Sequence, residues 1–279
     1  VTVCIVWGST YLGIRIVVAD LSPMFAMGTR FLAAGAALYL WLAVRGAPRP
    51  DRRDWRNAVL LGALLVVFGN GCVAIAERTV SSGLAALFVA AAPLAAAVFG
   101  GLLGEAWPTR AQWCAIALGM FGVTLLGFGK GFGGDGYSLG MLAAAVLGWS
   151  LGSVLCRERV KVPAGLQGVA MQMLTGGALM LAASLLLQEP WALPATAASA
   201  GAWLYLVVAG SLIAFPAYIY LLGVVPAHVA TSYCFVSPVI AAALGVAVAG
   251  ETLTPGETGA AALIVGAAFL LVRARRYRA

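Results

Sequence analysis

The sequence predicts an all-α membrane protein with ten transmembrane helices, and three observations support this. Hydrophobic residues make up 62% of the 279 residues and charged residues 10%, whereas soluble domains average about 45–50% and about 25%. Apolar stretches of roughly 20 residues, long enough to cross a bilayer, follow one another along the chain. Most basic residues lie in short clusters between these stretches. A water-soluble globule of this size could not bury so much apolar surface.

Short polar connections separate ten apolar spans. The spans cover residues 2–19, 24–44, 56–76, 80–103, 110–129, 138–156, 164–187, 199–222, 226–249 and 256–273. The longest connections are too short to form a soluble domain. The sequence begins at Val1, inside an apolar stretch, so we expect that the native N-terminus precedes it.

The distribution of basic residues predicts the orientation of the spans. Arg78 and Lys130 lie on one side, joined by Arg15 and Arg30 if these two reach outward. The other side, formed by the even-numbered connections and the C-terminus, holds Arg45, Arg49, Arg52, Arg53, Arg56, Arg110, Arg157, Arg159, Lys161, Arg273, Arg275, Arg276 and Arg278. Because basic residues favour the cytoplasmic side, both termini are predicted to be cytoplasmic, in a bacterial inner membrane. The same rule explains the net charge of +7, so we expect membrane lipids as partners and no nucleic acid.

The cysteines indicate neither a disulfide framework nor a metal site, because none of them shows paired spacing. They lie inside or beside apolar spans, at Cys4, Cys72, Cys114, Cys156 and Cys234. We expect no metal and no cofactor.

The chain repeats itself after five helices. Residues 81–122 and 226–266 share an order of small residues, a proline, an apolar stretch, Gly-Glu, a second proline and a glycine; the matches are Pro93 with Pro238, Glu105 with Glu251, and Gly119 with Gly266. Five is an odd number, so the two halves must have opposite orientations in the membrane. Inverted repeats of this kind build secondary transporters, with the substrate near the midplane. We therefore predict halves at residues 1–129 and 138–279 around a central cavity; a duplication kept for packing alone is the alternative.

These motifs resemble a known family. The two blocks "P…GE…P…G", together with "WGSTYLGIR" in the first span, are similar to the EamA-type transporters of the drug/metabolite transporter superfamily. The resemblance covers nearly the whole chain. It implies a ten-helix basket with a central cavity, alternating access, and export of amino acids or related metabolites. Among the members, the aromatic amino acid exporters are the most similar.

Two tryptophans are candidates for substrate binding. Six of the eight tryptophans lie near span ends, where aromatic belts form. Trp7 and Trp149 instead lie well inside the first span of each half. A buried indole N–H needs a partner, which favours a position facing the protein interior or a cavity. Tyr11 and Ser153 follow four residues later on the same helix faces; the alternative is that both tryptophans only pack between helices.

Polar residues in three further spans extend the predicted substrate site. Asn70 lies in the third span and Tyr218 in the eighth, and the ninth carries a stripe at i, i+4 and i+7 made of His228, Ser232 and Phe235. We expect this stripe to face the bundle interior. His228 is also a candidate for proton coupling. For the hydroxyls, a bond to the residue's own helix is the alternative.

Prolines and arginines complete the candidate residues. Pro93, Pro216 and Pro238 interrupt apolar spans, and we predict that they act as hinges. Arg15 and Arg30 lie within spans and could reach the surface, pair with Asp20 or bind substrate. No Asp or Glu lies in the middle of a span, which weighs against an exporter of lipophilic cations.

The stretch "GWSLG" at residues 148–152 matches the nucleophile elbow G-x-S-x-G of serine hydrolases. An elbow requires a strand before the helix, whereas this stretch lies inside an apolar span. An intramembrane serine hydrolase using Ser150 and His228 is therefore the less favoured alternative, and the glycines here are expected to let helices approach.

The leading prediction is a carrier and not an enzyme. It exports small metabolites, foremost aromatic or other zwitterionic amino acids, by alternating access as a uniporter or coupled to protons. Carriers of neutral drug-like compounds, nucleosides or sugars are the alternatives. We expect a monomer or a weak homodimer.

Overall fold

The computed structural model describes residues 2–127, 135–249 and 255–274, and the regular structure within these ranges is helical. The helices are α1 (Thr2–Val18), α2 (Pro23–Val44), α3 (Arg52–Ala76), α4 (Ser82–Leu103), α5 (Arg110–Gly127), α6 (Gly136–Glu158), α7 (Leu166–Leu186), α8 (Ala197–Val224), α9 (Ala227–Ala230 and Tyr233–Ala249) and α10 (Pro255–Arg273). Each predicted span corresponds to one of these ten helices.

The helices have the length and surface expected in a membrane. Within the described residues, α2, α3, α4, α6, α7 and α8 are long and apolar enough to cross a bilayer, and α1, α9 and α10 contain shorter apolar helices. Large apolar side chains such as Leu40, Leu102 and Phe269 are exposed on the bundle surface. Exposed apolar area on this scale is a liability in water and suits contact with lipid. The prediction of an all-α membrane protein is confirmed.

Polar residues in the connections start several helices. Asp51 accepts a hydrogen bond from the backbone N–H of Asp54 (2.7 Å), and the Asp54 carboxylate accepts one from the N–H of Asp51 (3.0 Å). This reciprocal capping box satisfies two N–H groups that have no partner within the helix. Ser81, Asp135 and Thr196 cap α4, α6 and α8 through single side-chain oxygens.

Hydrogen bonds between connections define the two ends of the bundle, which we call the Thr2 end and the Val18 end after the two ends of α1. At the Val18 end, Asp20 accepts from the N–H of Ala195 (2.8 Å), so the end of α1 meets the start of α8. At the Thr2 end, Asn57 donates to the carbonyl of Lys161 (2.6 Å), so the start of α3 meets the end of α6.

The helix neighbours follow a two-fold pattern. Helix α1 packs against α9, and its counterpart α6 packs against α4; likewise α3 packs against α6, and α8 against α1. Helices α3 and α8 also change to π-helical winding at matching places, Gly62–Gly71 and Leu206–Ala214. The pattern agrees with two related five-helix halves. The boundaries at 129 and 138 stay a prediction, and Glu251 lies outside the described residues.

The three predicted hinge prolines lie in different settings. Helix α4 is interrupted at Ala90 and Ala91, just before Pro93. Pro216 lies at the start of the α-helical part of α8 that follows the π-helical segment. Pro238 lies inside the continuous helix Tyr233–Ala249. Two of the three therefore mark a change of helix winding, and hinge motion at all three stays a prediction.

Glycines bring α3 and α6 into direct contact. A Cβ atom added at Gly148 would lie 2.4 Å from Cβ of Phe68, and one at Gly152 would lie 2.9 Å from Cβ of Leu64. On the opposite helix, a Cβ at Gly69 would lie 2.5 Å from the Trp149 ring. The glycines of "GWSLG" thus serve close helix packing, which also holds the Trp149 ring against α3.

The contact between α3 and α6 predicts the effect of Gly148→Ala. The added methyl group should lower the free energy of unfolding by about 1–3 kcal/mol, as overpacking generally does, and lower the Tm in detergent. Gly140→Ala in the same helix is the matched control, because a Cβ there meets nothing within 4 Å. Alanine favours a helix over glycine by about 1 kcal/mol, so this control should be unchanged or more stable. Equal Tm values for the two variants would contradict the close contact.

Candidate functional site

Five aromatic side chains from four helices form one cluster near the middle of the bundle. This aromatic cluster consists of Trp7 on α1, Trp149 on α6, Phe215 and Tyr218 on α8, and Tyr233 on α9. The Trp7 ring centroid lies 5.1 Å from those of Trp149 and Tyr218 and 5.0 Å from that of Tyr233. Each such pair contributes about 0.5–1.5 kcal/mol beyond its buried area. The pairing of Trp7 with Trp149, the corresponding residues of the two halves, joins those halves.

A cavity of about 40 Å³ adjoins the aromatic cluster and extends toward the Val18 end. Its lining includes four of the candidates predicted from the sequence, namely Trp7, Tyr11, Asn70 and Trp149. The other lining residues are Thr10, Ile14, Gly69, Val73, Val89, Ala145 and Tyr233. Pockets that hold drug-sized ligands measure about 300–1,000 Å³. The cavity therefore has room for a few water molecules and not for an amino acid.

The two indole groups differ in their hydrogen bonding. Trp7 Nε1 donates to the carbonyl of Gly210 at 3.1 Å, within the π-helical segment of α8. Trp149 Nε1 is buried and makes no hydrogen bond within the described part of the chain. Asn70 resembles Trp7, since its Nδ2 donates to the carbonyl of Leu65 at 3.1 Å within the π-helical segment of α3. One indole therefore has a main-chain partner, and the other lies beside the cavity without a hydrogen bond of normal geometry, with the Tyr218 hydroxyl as its neighbour.

Ser153 and Tyr218 close the aromatic cluster on the side of the Thr2 end. Their hydroxyl groups lie 2.6 Å apart, and the Ser153 hydroxyl also lies 2.6 Å from the carbonyl of Trp149. Both side chains are fully buried. The structure thus places these two predicted residues beneath the cavity and not in its lining.

The three residues of the predicted stripe on the ninth helix, His228, Ser232 and Phe235, are all buried, but they do not share one helix face. The helix is interrupted at Thr231 and Ser232, and the interruption changes the direction of the side chains that follow. His228 lies before it with Nδ1 4.0 Å from Glu105 Oε2. Phe235 lies after it and packs on α5, where a Cβ at Gly119 would be 3.0 Å from its ring. Ser232 is buried at the interruption, and none of the three lines the cavity described above.

Tyr233, and not the predicted stripe, is the residue of α9 that lines the cavity. It was not among the candidates predicted from the sequence. It lies directly after the interruption, lines the cavity and contacts Trp7. The only signal in the sequence was the adjacent Thr231 and Ser232. Hydroxyl side chains that bond their own helix favour such interruptions, and Thr231 Oγ1 does donate to the carbonyl of Ala227 at 2.8 Å.

The Gly-Glu motif forms a contact between helices at the Thr2 end. Gly104 has a left-handed backbone (φ +107°) and ends α4, and the N–H of Glu105 then returns to the carbonyl of Gly100 at 2.8 Å, as in a Schellman motif. The Glu105 carboxylate accepts hydrogen bonds from the N–H of Ala227 at 3.1 and 3.3 Å and lies 3.3 Å from Arg157 Nε. It therefore neutralises the positive start of α9.

The environment of Glu105 is strongly polar for a buried site. Its side chain is 3% exposed. Burial raises the pKa of Glu105, while the hydrogen bond from Ala227 and the Arg157 guanidinium act in the opposite direction. The contact ties α4 of the first half to α6 and α9 at the Thr2 end.

Arg15 and Arg157 have equivalent partners in the two halves. Arg157 Nη1 donates to the carbonyls of Leu222 (2.7 Å) and Val225 (2.8 Å) at the end of α8. Arg15 Nη1 donates to the carbonyls of Glu77 and Val80 at the end of α3. Positive groups are favourable at helix C-termini because the last carbonyls lack partners.

Arg30 is likewise bound inside the bundle. Its Nε donates to Ser211 Oγ at 2.9 Å and to the carbonyl of Leu206 at 3.1 Å, and the side chain is 1% exposed. Surface exposure of Arg30 and pairing of either arginine with Asp20 were both expected as options. Neither is found in the structure. Arg30 is buried, and Asp20 accepts hydrogen bonds from the N–H groups of Ala195 and Thr196.

Ser150, the candidate nucleophile of "GWSLG", has a structural partner. Its hydroxyl donates to the carbonyl of Ala92 at 3.1 Å, next to the interruption of α4, and the residue is fully buried. His228 faces Glu105 instead. In the part of the chain described, no group of three or more His, Cys, Asp or Glu residues could hold a metal ion.

Comparison with known proteins supports the same fold. The EamA-like transporter family matches residues 1–128 and 136–273. The uncharacterized inner membrane transporter YedA of Escherichia coli is 39% identical over 96% of this chain and 87% of its own. An uncharacterized transporter of Synechocystis is 25% identical over 95% of this chain and 84% of its own.

A solved crystal structure of a protein also has this fold. It superposes with a TM-score of 0.75 at 23% identity and covers 99% of this chain and 96% of its own. At that identity, the likeness concerns the fold. The two family matches along the sequence and the 39% identity to an inner membrane transporter identify the chain as a membrane transporter that belongs to the EamA-like transporter family.

Proposed function

We propose that this transporter exports aromatic or other neutral zwitterionic amino acids by alternating access. The observation that carries the proposal is the cavity beside the aromatic cluster, where the buried Trp149 N–H has no partner among the described residues. Aromatic rings bind an apolar or aromatic side chain through stacking. The indole N–H of Trp149 has only the neighbouring Tyr218 hydroxyl beside it and no hydrogen bond of normal geometry, so it can donate to a substrate carboxylate at little cost within the protein.

The cavity must enlarge to admit such a substrate, and the irregular helices around it supply the means. The π-helical segments of α3 and α8 and the interruption of α4 are places where main-chain hydrogen bonding already departs from the regular pattern. Such segments are frequent at functional sites. In this proposal they allow the cavity to widen without the loss of a complete helix.

The Thr2 end acts as one of the two closures. There Glu105, Arg157 and the start of α9 are joined beneath the hydrogen-bonded pair Ser153 and Tyr218. We place this end in the cytoplasm of the bacterial cell, because the clusters of basic residues in the connections lie there. Loading an exported amino acid then requires this closure to open.

Other neutral solutes remain the second candidate, since an aromatic wall also accepts nucleosides and drug-like compounds. A proteoliposome uptake panel of aromatic and aliphatic amino acids, nucleosides, sugars and a lipophilic cation separates the two. We expect uptake of aromatic amino acids, with competition by their analogues. Uptake of other classes without any amino acid would contradict the proposal.

Trp149→Phe tests the indole donor. A phenyl ring replaces the larger indole and the N–H is lost, so we expect the KM for tryptophan and phenylalanine to rise about tenfold, which corresponds to about 1.4 kcal/mol, with a lower Tm from the lost ring volume. Trp7→Phe is the matched control, because it removes the same ring volume and also the bond to Gly210, and it should lower the Tm further. Uptake kinetics and thermal unfolding measure both; an unchanged KM for Trp149→Phe would assign Trp149 to packing.

Glu105→Gln tests the closure at the Thr2 end. Removing one charge of a buried ion pair generally lowers stability by about 3–5 kcal/mol. The effect should be smaller here, because the Arg157 side chain is 25% exposed. We therefore expect the closure to open more often in this variant. Glu158→Gln is the control, since Glu158 also contacts Arg157 but is 31% exposed. The readout is maleimide labelling of Cys156, kept as the sole cysteine.

In inside-out membrane vesicles, Glu105→Gln should speed this labelling about tenfold or more, and the control should not. Right-side-out vesicles should show slow labelling in both variants. Faster labelling from that side would reverse the proposed orientation, and equal rates for the two variants would show that Glu105 does not hold the closure.

Ser150→Ala tests the alternative of a serine hydrolase. We expect transport to persist with a loss of about 1 kcal/mol in stability, the usual value of one hydrogen bond, because the Ala92 carbonyl loses its donor. Abolished transport in a variant that folds normally would argue for a chemical role of the hydroxyl.

A further inference from the structure

Glu77 at the Val18 end is a buried acid without a structural partner. It follows the last residue of α3, is 0% exposed, and neither of its carboxyl oxygens has a hydrogen-bond partner among the described residues. A buried polar group without a partner costs free energy, and an ionised carboxyl costs more. Buried polar groups almost always have partners, so this exception requires an explanation.

The surroundings of Glu77 connect it to the cavity. Val73, one helical turn earlier on α3, lines the cavity, as does Tyr11 on α1, which lies within electrostatic range of Glu77. Glu77 therefore lies about one turn beyond the cavity, on the side of the Val18 end.

One cation acts on the Glu77 carboxyl among the charged groups that the structure describes. Arg15 on α1 is near, yet its hydrogen bonds go to main-chain carbonyls. Met24 of α2 and Met180 of α7, both uncharged, lie against Gly71, six residues earlier on α3. Burial raises the pKa of Glu77 well above its usual value, and the Arg15 guanidinium opposes this.

The start of α6 also packs close to Glu77 and adds no charge to it. There, the Ser138 hydroxyl lies 2.6 Å from that of Thr79, and Asp135 accepts the N–H of Ser138 at the surface. Arg78, the next residue along the chain, is exposed. Protonation of Glu77 is thus governed by burial and by Arg15.

The second half shows that a carboxyl is not needed at this place for structure. Arg157 binds the carbonyls of Leu222 and Val225 just as Arg15 binds those of Glu77 and Val80. Leu222 is thus the counterpart of Glu77, at the same separation along the chain as Pro93 and Pro238. Leu222 is buried and apolar. The helix end is held by the arginine alone, so the acid of Glu77 serves another purpose.

We propose that Glu77 is the proton-binding site that couples amino-acid export to proton entry, a step that rests on the proposed function. When the Val18 end opens, the carboxylate takes a proton from external water, and the neutral acid is then suited to burial. When the cavity opens at the Thr2 end, the proton returns to water and the carboxylate attracts the ammonium group of the substrate. Only an O–H bond forms and breaks, and one proton enters for each ammonium group that leaves.

His228, the coupling candidate from the sequence, is the natural comparison. It lies at the Thr2 end beside Glu105, with Arg157 close by. It does not line the cavity. In this proposal its substitution leaves proton coupling intact, which makes His228→Gln the matched control for Glu77→Gln.

The test uses the full-length transporter in proteoliposomes with a pH dye in the lumen. In the wild type, an acidic lumen should speed uptake of tryptophan severalfold, and tryptophan entry should make the lumen more alkaline. Glu77→Gln should lose both effects while keeping exchange of labelled for unlabelled tryptophan, and His228→Gln should keep all three. Glu77→Leu, which copies Leu222, should behave as Glu77→Gln.

The outcomes separate the two proposals. If the wild type exchanges tryptophan but neither responds to the pH gradient nor moves protons, or if Glu77→Gln still moves protons, the role of Glu77 is overturned and the proposed function stands. If no amino acid is exchanged at all, the proposed function itself fails.

Should the variants not fold, the wild type can be labelled with a hydrophobic carbodiimide, which modifies buried protonated carboxyls. We expect Glu77 to be modified more at acidic than at alkaline pH and to be protected by tryptophan, as read by mass spectrometry. Modification that depends on neither pH nor tryptophan would overturn the role of Glu77.

Discussion

The satisfaction of main-chain carbonyls inside the bilayer is the constraint on which the rest of this structure depends. Hydrocarbon supplies no hydrogen-bond donors, so any departure from a regular helix needs donors from the protein. Here α3, α4, α8 and α9 all depart from regularity near the cavity. The carbonyls around these places are bound by side chains, among them those of Trp7, Asn70, Ser150 and Arg30.

This constraint explains why the polar residues of the spans fall into two groups. Those that donate to an irregular helix, such as Trp7 and Ser150, stabilise the packing whether or not they touch a substrate. Trp149 belongs to the other group, since its N–H makes no hydrogen bond of normal geometry while its ring packs against Gly69. A polar residue in a membrane helix therefore needs its partner identified before a role in binding is assigned to it.

The sequence was sufficient for the ten helices because long apolar stretches and clustered charges are properties of composition. It also indicated Trp7, Tyr11, Asn70 and Trp149, which all line the cavity, because a polar or amphipathic group deep in an apolar span stands out by itself. The interruption at Thr231 and the resulting position of Tyr233 depend on how α9 packs, which periodicity does not contain. Likewise, Glu77 stands at a helix end in sequence, and only packing by neighbouring helices buries it.

The different residues at the two equivalent helix ends, Glu77 and Leu222, give the transporter a built-in polarity. A pair of identical five-helix subunits in opposite orientations would carry the same residue at both ends and so treat both sides of the membrane alike. With both halves in one chain, one of these two equivalent positions keeps an ionisable group while the other does not. Acidity can then change the rate at which one closure opens without changing the other in the same way, while the gradients across the membrane set the direction of net flow.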